Sequence, residues 1–178
     1  MNTSPSLKDT LTAQFGTDEA LGVWFRTDDG EALSLAEYDA MFARLGDDDM
    51  PGTESLLPDG SSAVCCTDYA AHVFKALPGR VRIVGFANEE NPDCQVVLDE
   101  LHPGGHDFAI VDNRYLVDPW CKLVRCCDWQ PVYDRQLPED NDLVLKRYGP
   151  DVCWTPLVAA EARARKQMAE SARETVTA

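Results

Sequence analysis

Apolar side chains recur at helical spacing over Leu35, Tyr38, Met41, Phe42 and Leu45, and Ser34 with Glu37 stands before them in capping-box register. This predicts a helix from Ser34 to Leu45. A second stripe runs through Tyr69, Ala70, Val73, Phe74 and Leu77 and is stopped by Pro78-Gly79. Continuous apolar runs predict strands at Leu21 to Thr27, closed by Asp28-Asp29-Gly30, and at Val81 to Phe86. A third strand spans Asp107 to Asp112, turns at Asn113-Arg114, and returns through Tyr115 to Val117. Residues 1–16 read as a polar lead-in with one short helical stretch, and residues 46–62 as a surface loop. Residues 87–105 read as a polar connection, and 121–154 as loop with short strand. After Pro156 the chain has high helix propensity but a weak apolar stripe, which predicts an exposed, fraying helix. A helix followed by an antiparallel hairpin predicts the α+β class.

With 178 residues the chain is long enough for one core, so 1–178 is expected to be a single domain. Within it, residues 1–60 form an N-terminal part, 61–121 a central part and 156–178 a helical tail. A hydrophobic fraction of 44% and a charged fraction of 26% are globular values and argue against disorder. The net charge of −15 repels phosphate backbones and anionic bilayers, so neither nucleic acid nor a membrane is an expected partner. It suits a basic protein or peptide. No apolar run reaches membrane-spanning length, and the N-terminus lacks a basic start followed by an apolar block. A cytoplasmic location is therefore the default expectation, with signal-independent secretion or injection into a target cell left open. Seven cysteines, two pairs of them adjacent, are expected to be mostly reduced thiols. The residues do not fix an oligomeric state.

The chemistry concentrates at three positions. Cys66 opens the second helical stripe, where free N–H groups and the helix dipole favour a thiolate and can hold an oxyanion. His106 stands just before one strand of the hairpin and Asp118 just after the other, so the two are neighbours in space. Nucleophile, base and orienting carboxylate in this arrangement suit thiol-dependent acyl transfer.

The segment Cys66-Thr67-Asp68-Tyr69-Ala70, followed by Gly79-Arg80-Val81 and Val84-Gly85-Phe86, resembles the core of the transglutaminase-like cysteine enzymes. His106-Asp107-Phe108-Ala109-Ile110-Val111 resembles that superfamily's histidine strand, and Leu116-Val117-Asp118-Pro119 its closing Asp-Pro. The resemblance covers residues 61–121. It implies a papain-like fold with Cys66 as nucleophile, His106 as base and Asp118 as orienter. It also implies peptide hydrolysis, glutamine deamidation or acyl transfer to an amine, without metal or organic cofactor; several small bacterial members are effectors or toxins. A catalytically silent protein-binding module is the alternative from another class.

Other assignments stay open beside these. Cys65 is a rival nucleophile, His102 a rival base, and Asp112 or Asp107 a rival orienter, although Asp107 should point to the opposite strand face from His106. Trp24 and Gln14 are candidates for a second oxyanion donor. Asp68 reads as a helix cap, His72 as an exposed helical residue, and Trp120 as shelter for the triad, as a pocket wall or as core. Cys121, Cys126, Cys127 and Cys153 with His102 lack the paired spacing of a structural zinc site. The run Asp47-Asp48-Asp49 lacks the alternation of a calcium loop.

Overall fold

The computed structural model describes residues 5–46 and 49–177, so Asp47 and Asp48 of the acidic run lie outside the described residues. Among these the chain is mixed α+β with two antiparallel sheets. Helices α1 (Leu7–Phe15) and α2 (Asp18–Leu21) lead into β1 (Trp24–Thr27), β2 (Ala32–Ser34), α3 (Leu35–Leu45) and β3 (Thr53–Leu56). These three strands form a small sheet ordered β2-β1-β3. Helix α4 (Cys66–Ala76) precedes β4 (Val81–Ala87), the short α5 (Gln95–Leu98), β5 (Gly105–Val111), β6 (Tyr115–Val117) and α6 (Pro119–Leu123). The chain closes with β7 (Val132–Asp134), α7 (Pro138–Tyr148), β8 (Thr155–Pro156) and α8 (Val158–Thr177). The larger sheet is ordered β7-β6-β5-β4-β8.

Both predicted helices form. Ser34 and Glu37 make the reciprocal capping bonds of α3, and the stripe of α4 buries Tyr69, Ala70, Val73 and Phe74. The β4–β5–β6 meander also forms. Its register pairs Phe86 with His106, Gly85 with Asp107, and Val111 with Tyr115. Asp112 and Asn113 take positive φ in the turn, a conformation that Asn and Asp tolerate.

Four expectations are corrected. The first strand starts at Trp24 rather than Leu21, because Thr17 caps a short helix whose end is Leu21. Residues 46–62 are not wholly surface loop: β3 lies there, and Leu56 and Leu57 are buried. The stretch 121–154 holds α7 as well as a strand. Buried Asp140 ties α7 down, accepting from the backbone of Asp134 at 2.6 Å and from Gln130 at 2.8 Å. Finally, α8 is docked rather than loose. Ala160 and Ala164 are buried, Arg165 lies 5.1 Å over the Phe74 ring, and Glu161 accepts from the Ile83 backbone. Small alanines let α8 approach α4 closely, so the contact needs no broad apolar stripe.

Candidate active site

The approach to α4 is fixed on both sides of Cys66. The Asp68 carboxylate accepts from the backbone N–H groups of Val64 at 3.2 Å and Cys65 at 3.1 Å. The Trp120 indole donates to the Val64 carbonyl at 3.2 Å. Asp68 is thus the cap expected of it, satisfying donors that precede the helix and complementing its dipole. Cys66 occupies the first helical position, where N–H groups have no intrahelical acceptor. Its sulfur accepts from the Asp107 backbone N–H at 3.4 Å, which joins the start of α4 to β5.

His106 is fully buried on β5. Its ring lies 5.4 Å from Trp120 and 6.0 Å from Tyr148, with Phe86 and Phe108 completing the box. Nε2 is 2.8 Å from Asp118 Oδ2. Asp118 caps α6, with Pro119 following it. Its Oδ1 accepts from the Cys121 N–H at 3.4 Å, and its Oδ2 also accepts from the Tyr148 hydroxyl at 2.9 Å. The hairpin therefore brings His106 and Asp118 together as the strand ends suggested.

Burial opposes the charge on both groups, yet each stabilises the other. The Asp118 carboxylate carries His106 well above the ordinary imidazole range. The imidazolium, with hydrogen bonds from Cys121 and Tyr148, holds Asp118 below the usual carboxylate range. Cys121 Sγ is 3.6 Å from His106 Nε2. Burial and then the Asp118 charge push that thiol up to about 12, so it is an inert neighbour. Nδ1 of His106 has no hydrogen-bond partner among the described residues.

Cys65, Cys66 and Thr67 line a cleft of about 480 Å³ with Phe86, Gly104, Gly105 and Asp107, and the far wall carries Thr155 and Leu157. Asp107 does project to the opposite face from His106, as strand alternation requires. Its carboxylate accepts from the Thr67 hydroxyl. Gly85 lies directly across the register, and a Cβ there would stand 2.2 Å from Asp107 Oδ1 and 2.8 Å from the His106 carbonyl, so a larger residue would force a shift.

Cys66 and His106 are not hydrogen-bonded to each other; they meet through Asp107, which follows the histidine and touches the sulfur. His102 lines the cleft, but its ring bonds no carboxylate among the described residues, and burial holds its pKa down. Asp112 pairs with Arg80 at the far end of the hairpin and cannot orient His106. Trp24 donates to Leu57 in the small sheet, and neither it nor Gln14 lines the cleft. His72 is half-buried, edge-on to Phe15, rather than exposed. Trp120 shelters His106.

All seven cysteines are free thiols. The described residues form one close group of metal-type donors, His106, Asp118 and Cys121, not the set of Cys121, Cys126, Cys127, Cys153 and His102. That donor chemistry suits zinc, but Nε2 and Oδ2 already satisfy one another and all three residues are buried. Tyr148 and the cleft residues Glu90, Thr155 and Leu157 were not evident from sequence, where Cys121 is weighed only as a zinc ligand and not as a neighbour of His106. For Tyr148 a signal exists: it is the last apolar residue of α7 before Gly149, a stop position.

No protein-family model, curated protein or solved structure matches the chain.

Proposed function

We propose that the protein is a thiol-dependent amide hydrolase, acting on a protein or peptide, with Cys66 as nucleophile, His106 as base and Asp118 as its orienter. The observation that carries this reading is the buried His106–Asp118 pair, which engages Nε2 and leaves Nδ1 unpartnered, one residue before the Asp107 N–H that touches the Cys66 sulfur. In this mechanism the thiol proton of Cys66 resides on Nδ1, so that thiolate and imidazolium face the substrate as an ion pair. The thiolate attacks the amide carbonyl, and first-turn N–H groups of α4 stabilise the oxyanion. The C–N bond breaks as the imidazolium returns the proton to the leaving amine or ammonia. Water, deprotonated by His106, then hydrolyses the thioester and frees the thiol. Asp118 holds the Nε2–H tautomer throughout. An amine in place of water would give acyl transfer by the same steps. The papain-like assignment of the fold belongs to this proposal, resting on a cysteine at a helix start set against a sheet that carries His106, with Asp118 just past the end of the neighbouring strand.

A silent binding module is the second reading. It is favoured by the full burial of His106 and by the missing thiol–imidazole hydrogen bond. Iodoacetamide labelling with mass-spectrometric mapping separates the two. On the enzyme reading Cys66 is modified faster than exposed Cys126, and His106→Ala abolishes that advantage. Equal rates at the two thiols in the unaltered protein would remove the enzyme reading.

A further inference from the structure

We propose that the cleft beside Cys66 takes a cationic side chain of the lysine or arginine type, its aliphatic stem along Ala87 and Leu157 and its charged head on the carboxylates of Glu90 and Asp107. This names a substrate class and rests on the functional reading above. The cleft's walls set the chemistry. Ala87 and Leu157 supply apolar surface, while Glu90 and Asp107 supply two negative charges. Neither Lys nor Arg lines it among the described residues. Its one other titratable wall residue besides the two cysteines, His102, is kept toward the neutral form by burial. An anionic substrate group would therefore meet two carboxylates and no counter-charge.

The two acids are differently held. Asp107 is fixed, accepting from the Thr67 hydroxyl and packed over Gly85, next to the backbone N–H that touches the Cys66 sulfur. Glu90 is exposed at the rim, in the turn of residues 88–90 that follows β4. A charge fixed near the reacting sulfur and an exposed one, which accepts from the Ala87 N–H at 3.5 Å, suit a long side chain whose head must be captured while its backbone amide is presented.

Charge-matched thiol reagents test this on the full-length protein without a known substrate. The cationic 2-aminoethyl, neutral methyl and anionic 2-sulfonatoethyl methanethiosulfonates are compared, with rates at Cys66 and at exposed Cys126 read by tandem mass spectrometry. The cation-to-anion rate ratio at Cys66 should exceed that at Cys126 by about tenfold at low salt. It should fall toward the Cys126 value as salt rises. Glu90→Gln and Asp107→Asn should each lower it, with the neutral reagent correcting for any change in access. A ratio at Cys66 no greater than at Cys126, or one unmoved by both substitutions, overturns the inference. The ratio is read whatever the absolute rate, so a slow Cys66 with no dependence on His106 counts against the nucleophile, while the ratio alone decides the charge of the cleft.

Discussion

At Asp118 one buried carboxylate accepts from a histidine, a tyrosine hydroxyl and a backbone N–H, and these three bonds compensate its charge. The consequence is a pH dependence with two limits. His106 has a raised folded-state pKa, so its contribution to stability is complete below the unfolded value of about 6.5 and is lost as pH rises through the folded value. Asp118 has a lowered one, so its contribution is complete above about 3.9 and is lost as pH falls through the folded value. The pair therefore stabilises the fold most between about pH 4 and 6.5. Asp118→Asn should lower the melting temperature most near the middle of that window, and the gap to the unaltered protein should narrow toward pH 9. A gap independent of pH would mean that the pair is not ionised. Tyr148→Phe deletes a buried donor but leaves His106 on the same oxygen. It should cost about 1–2 kcal/mol in chemical denaturation and raise the Asp118 pKa, visible as unfolding at a higher pH on acid titration.

Element boundaries carry the site as much as its side chains do. Asp68→Ala removes the acceptor for two backbone N–H groups ahead of α4 and should cost about 1 kcal/mol. Hydrogen exchange at Val64 and Cys65 should accelerate, while exchange in the middle of α4 follows only the global change. Gly85→Ala forces a Cβ onto the Asp107 carboxylate and should cost about 1–3 kcal/mol by overpacking; equal stability would show that Asp107 can swing away. These elements were legible in the sequence because each has a local cause. The stripe through Tyr69, Ala70, Val73 and Phe74 has helical period, and Asn113 marks a turn between two apolar runs. Helix α7 escaped for a physical reason. Its start at Pro138-Glu139-Asp140 and stop at Gly149 are ordinary signals, but few of its residues face the core, and its anchor is the buried Asp140. With Asp140 on the buried face, only Val144 and Tyr148 remain as an apolar period, too short to read. The same holds for α8, which docks through Ala160 and Ala164. The link from Tyr148 to Asp118 spans 30 residues and follows from packing alone.

Over the whole molecule the charge is unevenly placed. Residues 17–56 carry eleven acidic and two basic side chains, well over half of the net −15 in under a quarter of the chain. That stretch contains the three-stranded sheet and α3, a helix with no fully buried residue. Like charges there repel across a surface held by little apolar burial; the Phe25–Tyr38 stack and the Arg26–Glu54 pair are among the few cross-element contacts opposing it. The larger sheet is in a different position, since its central strands are nearly all apolar and its salt bridges, such as Arg114–Asp134, neutralise acid locally. Screening should therefore act on the two regions unequally. The Debye length falls from about 30 Å at 0.01 M to about 8 Å at 0.15 M, so most of the effect belongs to that range. Raising salt across it should raise the melting temperature, and it should slow amide exchange in β1, β3 and α3 more than in β4 and β5. Uniform slowing would mean that the small sheet opens only with the rest of the molecule. Slowing confined to it would identify residues 17–56 as a separately opening layer, loosened by its own charge, while the strand that carries His106 stays closed.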